Sequence, residues 1–200
     1  MTSFWLTGDP AADALLADDD NALLLGMVLD QQVPMEKAFA GPAVIAERMG
    51  GRLDVAAIAA TPEEEFVALC AERPAIHRFP GSMGLRVHQV CRVLVEDFDG
   101  QAGLVWRDAT TGAEVKRAIA ALPGFGQQKA AIFTAVLAKR RGVRPPGWAE
   151  AAGPYGEPGC FRSVADVVDA ESLAKVRATK RAAKAEAKAG VAADEPGRKA

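Results

Sequence analysis

The residues with the clearest capacity for chemistry lie in Ile119-Ala-Ala-Leu-Pro-Gly-Phe-Gly-Gln-Gln-Lys-Ala-Ala-Ile-Phe133. Apolar Ile119, Leu122, Phe125, Ile132 and Phe133, with the small Ala130 among them, read as two short helices joined by a Gly-Phe-Gly hairpin. A helix that opens directly after such a turn has backbone N–H groups without intrahelical acceptors. Its dipole adds partial positive charge at the same point. Together they suit an anionic oxygen, most often that of a phosphate. Gly124 and Gly126 allow positive φ and close approach of a nucleic-acid backbone. Phe125 is expected to turn inward and fix the angle between the helices. The glycines serve equally well as the C-cap and turn of a plain αα-hairpin, and taken alone they leave both readings open.

A second segment, Leu29-Asp-Gln-Gln-Val-Pro34, closes an apolar stretch, and Gly84-Leu-Arg-Val-His-Gln-Val-Cys91 follows it. With the Leu-Pro before the hairpin and Lys129-Ala130 after it, the pattern resembles the HhH-GPD superfamily of base-excision DNA glycosylases. That superfamily includes endonuclease III, adenine glycosylases and alkylpurine glycosylases. The resemblance spans about residues 20–142, with the Gln-Gln pair about ninety residues before the hairpin. It implies an all-α, two-lobed domain with a groove between the lobes. The hairpin, through Leu122, Gly124, Phe125, Gly126, Gln128 and Lys129, would grip one strand of double-stranded DNA. A monovalent cation at the hairpin carbonyls is part of the same implication. Chemistry on a base requires its extrusion from the stack. The resemblance makes Gln32 the wedge that fills the gap, its amide both donating and accepting, with Gln31 beside the pocket. In isolation the pair also reads as a polar helix end bonding its own carbonyls.

The expected catalytic pair departs from the family pattern. Members with lyase activity carry a lysine two residues after the second hairpin glycine, where Gln128 stands here. Lys129 comes one residue later, turned by about 100° around the helix. It is therefore expected to support a phosphate contact rather than form a Schiff base. The family's aspartate is expected about twenty residues beyond the hairpin, to stabilise an oxocarbenium-like sugar or activate water. Residues 143–150 contain no Asp, which leaves Glu150 or a displaced Asp166 as candidates. Asp166 and Asp169 also read as helix caps. Trp148 and Tyr155 offer stacking surfaces for an extruded base, or pins that hold their loop to the core. His77, Arg78, Arg86 and His88 are candidates for the base pocket or the DNA, or packed and surface residues.

The implied activity is a monofunctional DNA glycosylase that hydrolyses the N-glycosidic bond of a damaged or mismatched base. The rival is a DNA-binding module that keeps the hairpin and lacks the acid. A helical protein-interaction domain is a third possibility. No cofactor is expected. The iron–sulfur loop of many endonuclease III-type proteins needs four cysteines, and only Cys160 follows Gly142.

The elements that must position these groups are helical. The chain has 200 residues, half of them hydrophobic, with one Tyr and few β-branched runs. Its net charge of −2 is unevenly spread. Asp18-Asp19-Asp20 and Glu63-Glu64-Glu65 are acidic, whereas residues 116–144 and 175–188 are basic, which can put a positive face on a near-neutral protein. Lys175, Arg177, Lys180, Arg181 and Lys184 could add salt-dependent phosphate contacts or form a solvated helix face. Three scattered cysteines without a CxxC spacing argue against zinc and disulfide frameworks. With neither a signal peptide nor an apolar run of about twenty residues, a monomeric, cytoplasmic, nucleoid-associated protein is expected.

Asn21 is expected to cap a buried helix over residues 22–29, and a second helix follows over 35–49. Thr61-Pro-Glu-Glu64 reads as a capping box. Residues 73–84 read as a loop, and helices follow over 85–97, 112–121 and 127–141, the helix-hairpin-helix spanning about 113–140. Residues 142–162 read as a long loop. The main domain is expected over 1–170, followed by a basic helix over 171–188 capped by Asp169, with disorder from Gly190 on.

Overall fold

The computed structural model describes residues 4–193, and side chains to Glu186. It is all-α. Among the described residues, eleven helices are present: α1 (Pro10–Asp18), α2 (Asp20–Leu29), α3 (Met35–Arg48), α4 (Val55–Ala60), α5 (Glu63–Ala71), α6 (Pro80–Phe98), α7 (Leu104–Arg107), α8 (Gly112–Ala120), α9 (Gln127–Arg140), α10 (Trp148–Ala152) and α11 (Ala170–Ala193). No helix there is long and apolar enough to cross a membrane.

α2 is the central buried rod that its apolar sequence predicts, with every residue from Ala22 to Leu29 buried. Its cap is Asp19, whose carboxylate accepts from Asn21 N at 2.7 Å, not Asn21 itself. Asn21 instead clamps the end of α6, donating to Gly100 O at 3.1 Å and accepting from Ala102 N at 2.7 Å. α3 packs tightly on α2: a Cβ at Gly26 would stand 2.6 Å from the Phe39 ring, and one at Gly41 would stand 2.3 Å from Leu29 Cδ1.

The expected capping box at Thr61 does not form. The Thr61 hydroxyl donates to Ala57 O at 2.8 Å and closes α4, a six-residue helix capped by Asp54. Pro62 takes the N-cap of α5 without a side-chain bond. α6 begins at Pro80, inside the expected loop, because proline is well placed in a first helical turn. Gly84 then lets α6 approach α5, since a Cβ there would meet Cys70 Cβ at 3.1 Å.

The expected loop over 142–162 holds structure of its own, α10 and a 3₁₀ turn over Gly153–Tyr155. Gly112 N donates to Pro146 O at 2.8 Å. A Cβ at Gly112 would collide with Trp148 Cα at 2.3 Å. A second 3₁₀ turn, Val164–Asp166, leads to α11. Asp169 caps α11 as expected, accepting from Ser172 N at 2.7 Å. Leu173 and Val176 are buried, so the helix is docked on the main body rather than tethered to it. It runs past Gly190, where disorder was expected, and residues 194–200 lie outside the described residues.

Asp166 is the lock of this region. Its carboxylate pairs with Lys139 Nζ at 2.6 Å and accepts from Arg162 N at 2.9 Å and Ser163 N at 3.1 Å, and its side chain is 4% exposed. Removing one partner strands the other charge in a poorly solvated site. Asp166→Ala is expected to lower stability by about 3 kcal/mol and Tm by about 6–12 °C. Calorimetry tests this, and an unchanged Tm would show that the pair contributes nothing.

Candidate functional site

The hairpin between α8 and α9 lies on the surface, with Gly124, Gly126, Gln127 and Gln128 exposed. Gly124 has φ +79°, which favours glycine, whereas Gly126 (φ −95°, ψ 174°) is extended, so only the first glycine is required by conformation. Phe125 turns inward and meets Phe133 edge-on at 6.1 Å, fixing α8 against α9. Leu122 is buried beneath the turn. No side chain caps α9, and its first satisfied amide is Ala130 N, bonded to Gly126 O at 2.9 Å. The amides of Gln127, Gln128 and Lys129 thus open the helix without intrahelical acceptors. Lys116 and Arg117 line a shallow depression beside Gln127.

Arg86 joins this turn to the Gln-Gln segment. Its Cδ lies 3.4 Å from where a Cβ on Gly124 would stand, and its Nη1 donates to Gln31 Oε1 at 2.6 Å. His77 Nε2 donates to Gln31 O at 2.8 Å, while its Nδ1 accepts from Phe79 N at 3.0 Å. That pairing requires the neutral ring, and burial holds its pKa below the ordinary histidine value. His77 and Arg86 therefore support the lip that carries Gln31. Gln32, next on the lip, is exposed and holds a left-handed φ of +58°, rare for a residue with a side chain. Arg78 stacks on Phe79 at 5.2 Å, and buried His88 donates to Thr61 O at 2.9 Å; neither reaches the cavity described next.

Between the lip, the start of α9 and α11 lies a cavity of 470 Å³. Asp30, Gln32, Gln128, Lys129, Tyr155 and Lys180 are among its walls. Lys129 shares a helix face with Ile132, Phe133 and Val136, so it points inward rather than toward a phosphate at the hairpin. Its ammonium donates to Val28 O at 3.0 Å and lies 5.8 Å from the Phe125 ring centre. Burial lowers its pKa, and Asp30 opposes that shift. Asp30 itself is raised above the usual carboxylate range, chiefly by burial, with Lys180 and Lys129 opposing and Glu36 reinforcing. Gln128 Nε2 donates to Tyr155 Oη at 2.9 Å, setting an amide and a phenol side by side at the wall.

The other carboxylate candidates stand elsewhere. Asp166 is consumed by its ion pair and turn, and Glu150 is exposed on α10; neither lines the cavity. The Trp148 backbone packs against the start of α8, and of the two aromatics only Tyr155 lines the cavity. The family resemblance points to carboxylates beyond the hairpin and not to Asp30. The available signal was a lone carboxylate ending an otherwise apolar helix. Among the described residues, no group of three or more His, Cys, Asp or Glu is placed to hold a metal ion.

The chain matches no family model, no curated protein and no solved structure with which it was compared. The functional reading therefore rests on geometry. A volume of 470 Å³ lies within the usual range of small-molecule sites, about 300–1,000 Å³. The cavity walls carry one carboxylate, two ammonium groups and the Arg162 guanidinium, adjacent to an exposed helix N-terminus.

Proposed function

We propose that the protein is a two-lobed, HhH-GPD-like DNA glycosylase that hydrolyses the N-glycosidic bond of a damaged or mismatched base, acting as a nucleoid-associated monomer. The observation that carries this reading is the adjacency of the exposed Gly124–Gln128 turn to the cavity of Asp30 and Lys129. Free amides at the turn hold a backbone phosphate. Gln32 enters the duplex, and the extruded nucleotide takes the cavity. Asp30 does the work sought at Asp166 or Glu150. It stabilises positive charge on the sugar and takes the proton of the attacking water as the C1′–N bond breaks. The base leaves with the bonding electrons and is protonated.

A second reading is favoured by one observation, the inward amine of Lys129 with its pKa lowered by burial. Such an amine could attack C1′ directly. Incubation of the protein with duplexes carrying uracil, oxidised purines, alkylated bases or mismatches, with and without borohydride, separates the readings. Released base without a trapped adduct supports hydrolysis, and an adduct lost in Lys129→Ala supports the lyase route. Salt-sensitive binding without released base supports a DNA-binding module instead.

The lip gives a sharper expectation. Gln32→Gly removes a left-handed residue with a side chain and should stabilise the fold by roughly 1 kcal/mol. It should also lose preference for lesion-bearing over undamaged duplex. Thermal melts and paired binding titrations check both, and a variant that keeps its preference would exclude the wedge role.

A further inference from the structure

Cys70 and Cys91 are buried, and burial pushes both thiols up, that of Cys70 to about 12, so they are inert. Cys160 differs. It is partly exposed, and Lys139 Nζ lies 3.4 Å from its Sγ. The same ammonium is 2.6 Å from Asp166 Oδ1, and the Cys160 Sγ lies 3.5 and 3.6 Å from the two Asp166 oxygens. A nucleophilic sulfur, a primary amine and a carboxylate able to take the amine's proton are thus in mutual contact, outside the walls of the cavity.

We propose that Cys160 and Lys139 form a covalent cross-link when the protein meets hydrogen peroxide. The sulfur attacks one peroxide oxygen, the O–O bond breaks, and one water leaves as the sulfenic acid forms. The Lys139 amine, its proton passed to Asp166, then attacks the sulfur. An S–N bond forms, the S–O bond breaks, and hydroxide leaves with a proton as a second water. In sum, thiol, amine and hydrogen peroxide give a sulfenamide and two waters. The sulfur is oxidised by two electrons and the peroxide reduced by two. The Lys139–Asp166 ion pair that fastens the turn before α11 to α9 gives way to a covalent bond from Lys139 to Cys160 in the same segment. Arg162, two residues on from Cys160, lines the cavity, so the oxidised state fixes one of its walls.

The test is mass spectrometry of the full chain after hydrogen peroxide treatment and alkylation of remaining thiols. Apart from alkyl groups on Cys70 and Cys91, the expected product is lighter by two hydrogens than the reduced protein, yields a peptide joining Lys139 to Cys160, and reverts with dithiothreitol. Lys139→Arg, which keeps the cation but lacks the primary amine, is expected to give oxygenated Cys160 and no joined peptide. Absence of a joined peptide from the wild-type protein, whatever oxidation state Cys160 reaches, overturns the proposal. The readout needs no DNA, so it stands or falls apart from the glycosylase reading.

Discussion

Asp30→Asn is expected to reduce base release by roughly 10²–10⁴-fold while leaving duplex binding unchanged. The substitution keeps the side chain's size and removes the group that would receive the proton of water. It is also expected to raise thermal stability at neutral pH. The carboxyl of Asp30 has a pKa raised in the fold, chiefly by burial. The folded protein therefore holds that proton more tightly than the unfolded chain. Stability falls as pH rises from the unfolded value, about 3.9, through the folded one. Asparagine carries no such penalty, so its advantage should grow as pH rises above about 4 and vanish well below that. Melts across pH and a base-release assay check the two halves. A variant that still releases base would remove Asp30 from the mechanism.

Gly126→Glu separates the hairpin's structural role from its proposed role in binding. Gly126 has an extended backbone that any residue adopts, and a Cβ there meets nothing within 4 Å. A carboxylate at the head of α9 interacts favourably with the helix dipole, by about 0.3–1 kcal/mol. Tm should hold or rise slightly. A backbone phosphate, however, would meet a like charge where free amides had been. Loss of one charge-assisted hydrogen bond weakens duplex affinity by about 10–100-fold. Titrations at several salt concentrations measure it. Wild-type affinity in a folded Gly126→Glu protein would mean that the turn does not meet DNA.

The parts legible in the sequence are those written in neighbouring residues. The apolar run over 22–29 made a buried helix, the Gly-Phe-Gly segment made an exposed turn with Phe125 inward, and Asp169 capped the last helix. Local signals failed where two structures competed for one group. Thr61 had the spacing of a capping box, but its hydroxyl closes the preceding helix. Pro80 and Gly84 read as loop residues, yet one starts α6 and the other lets it pack against α5.

The candidate site was legible only in part because its residues meet across long stretches of chain. Arg86 reaches Gln31, and Gln128 reaches Tyr155. Asp30 finds Lys129 and Lys180 only after α9 and α11 have docked. No periodicity announces such meetings. The face of α9 that Lys129 occupies follows from where that helix begins, and counting from Ile132, Phe133 and Val136 would have turned it inward.

The wall that α11 lends to the cavity, through Thr179, Lys180 and Ala183, bears on how the protein is made. Synthesis proceeds from the N-terminus, so the turn at Gly124 leaves the ribosome well before that wall exists. A nascent chain halted after Asp169 would already carry the free amides of that turn, while Asp30 lacked the wall that α11 supplies. Formation of the exposed turn and completion of the wall beside Asp30 are therefore two events in time, and the second waits on the final helix.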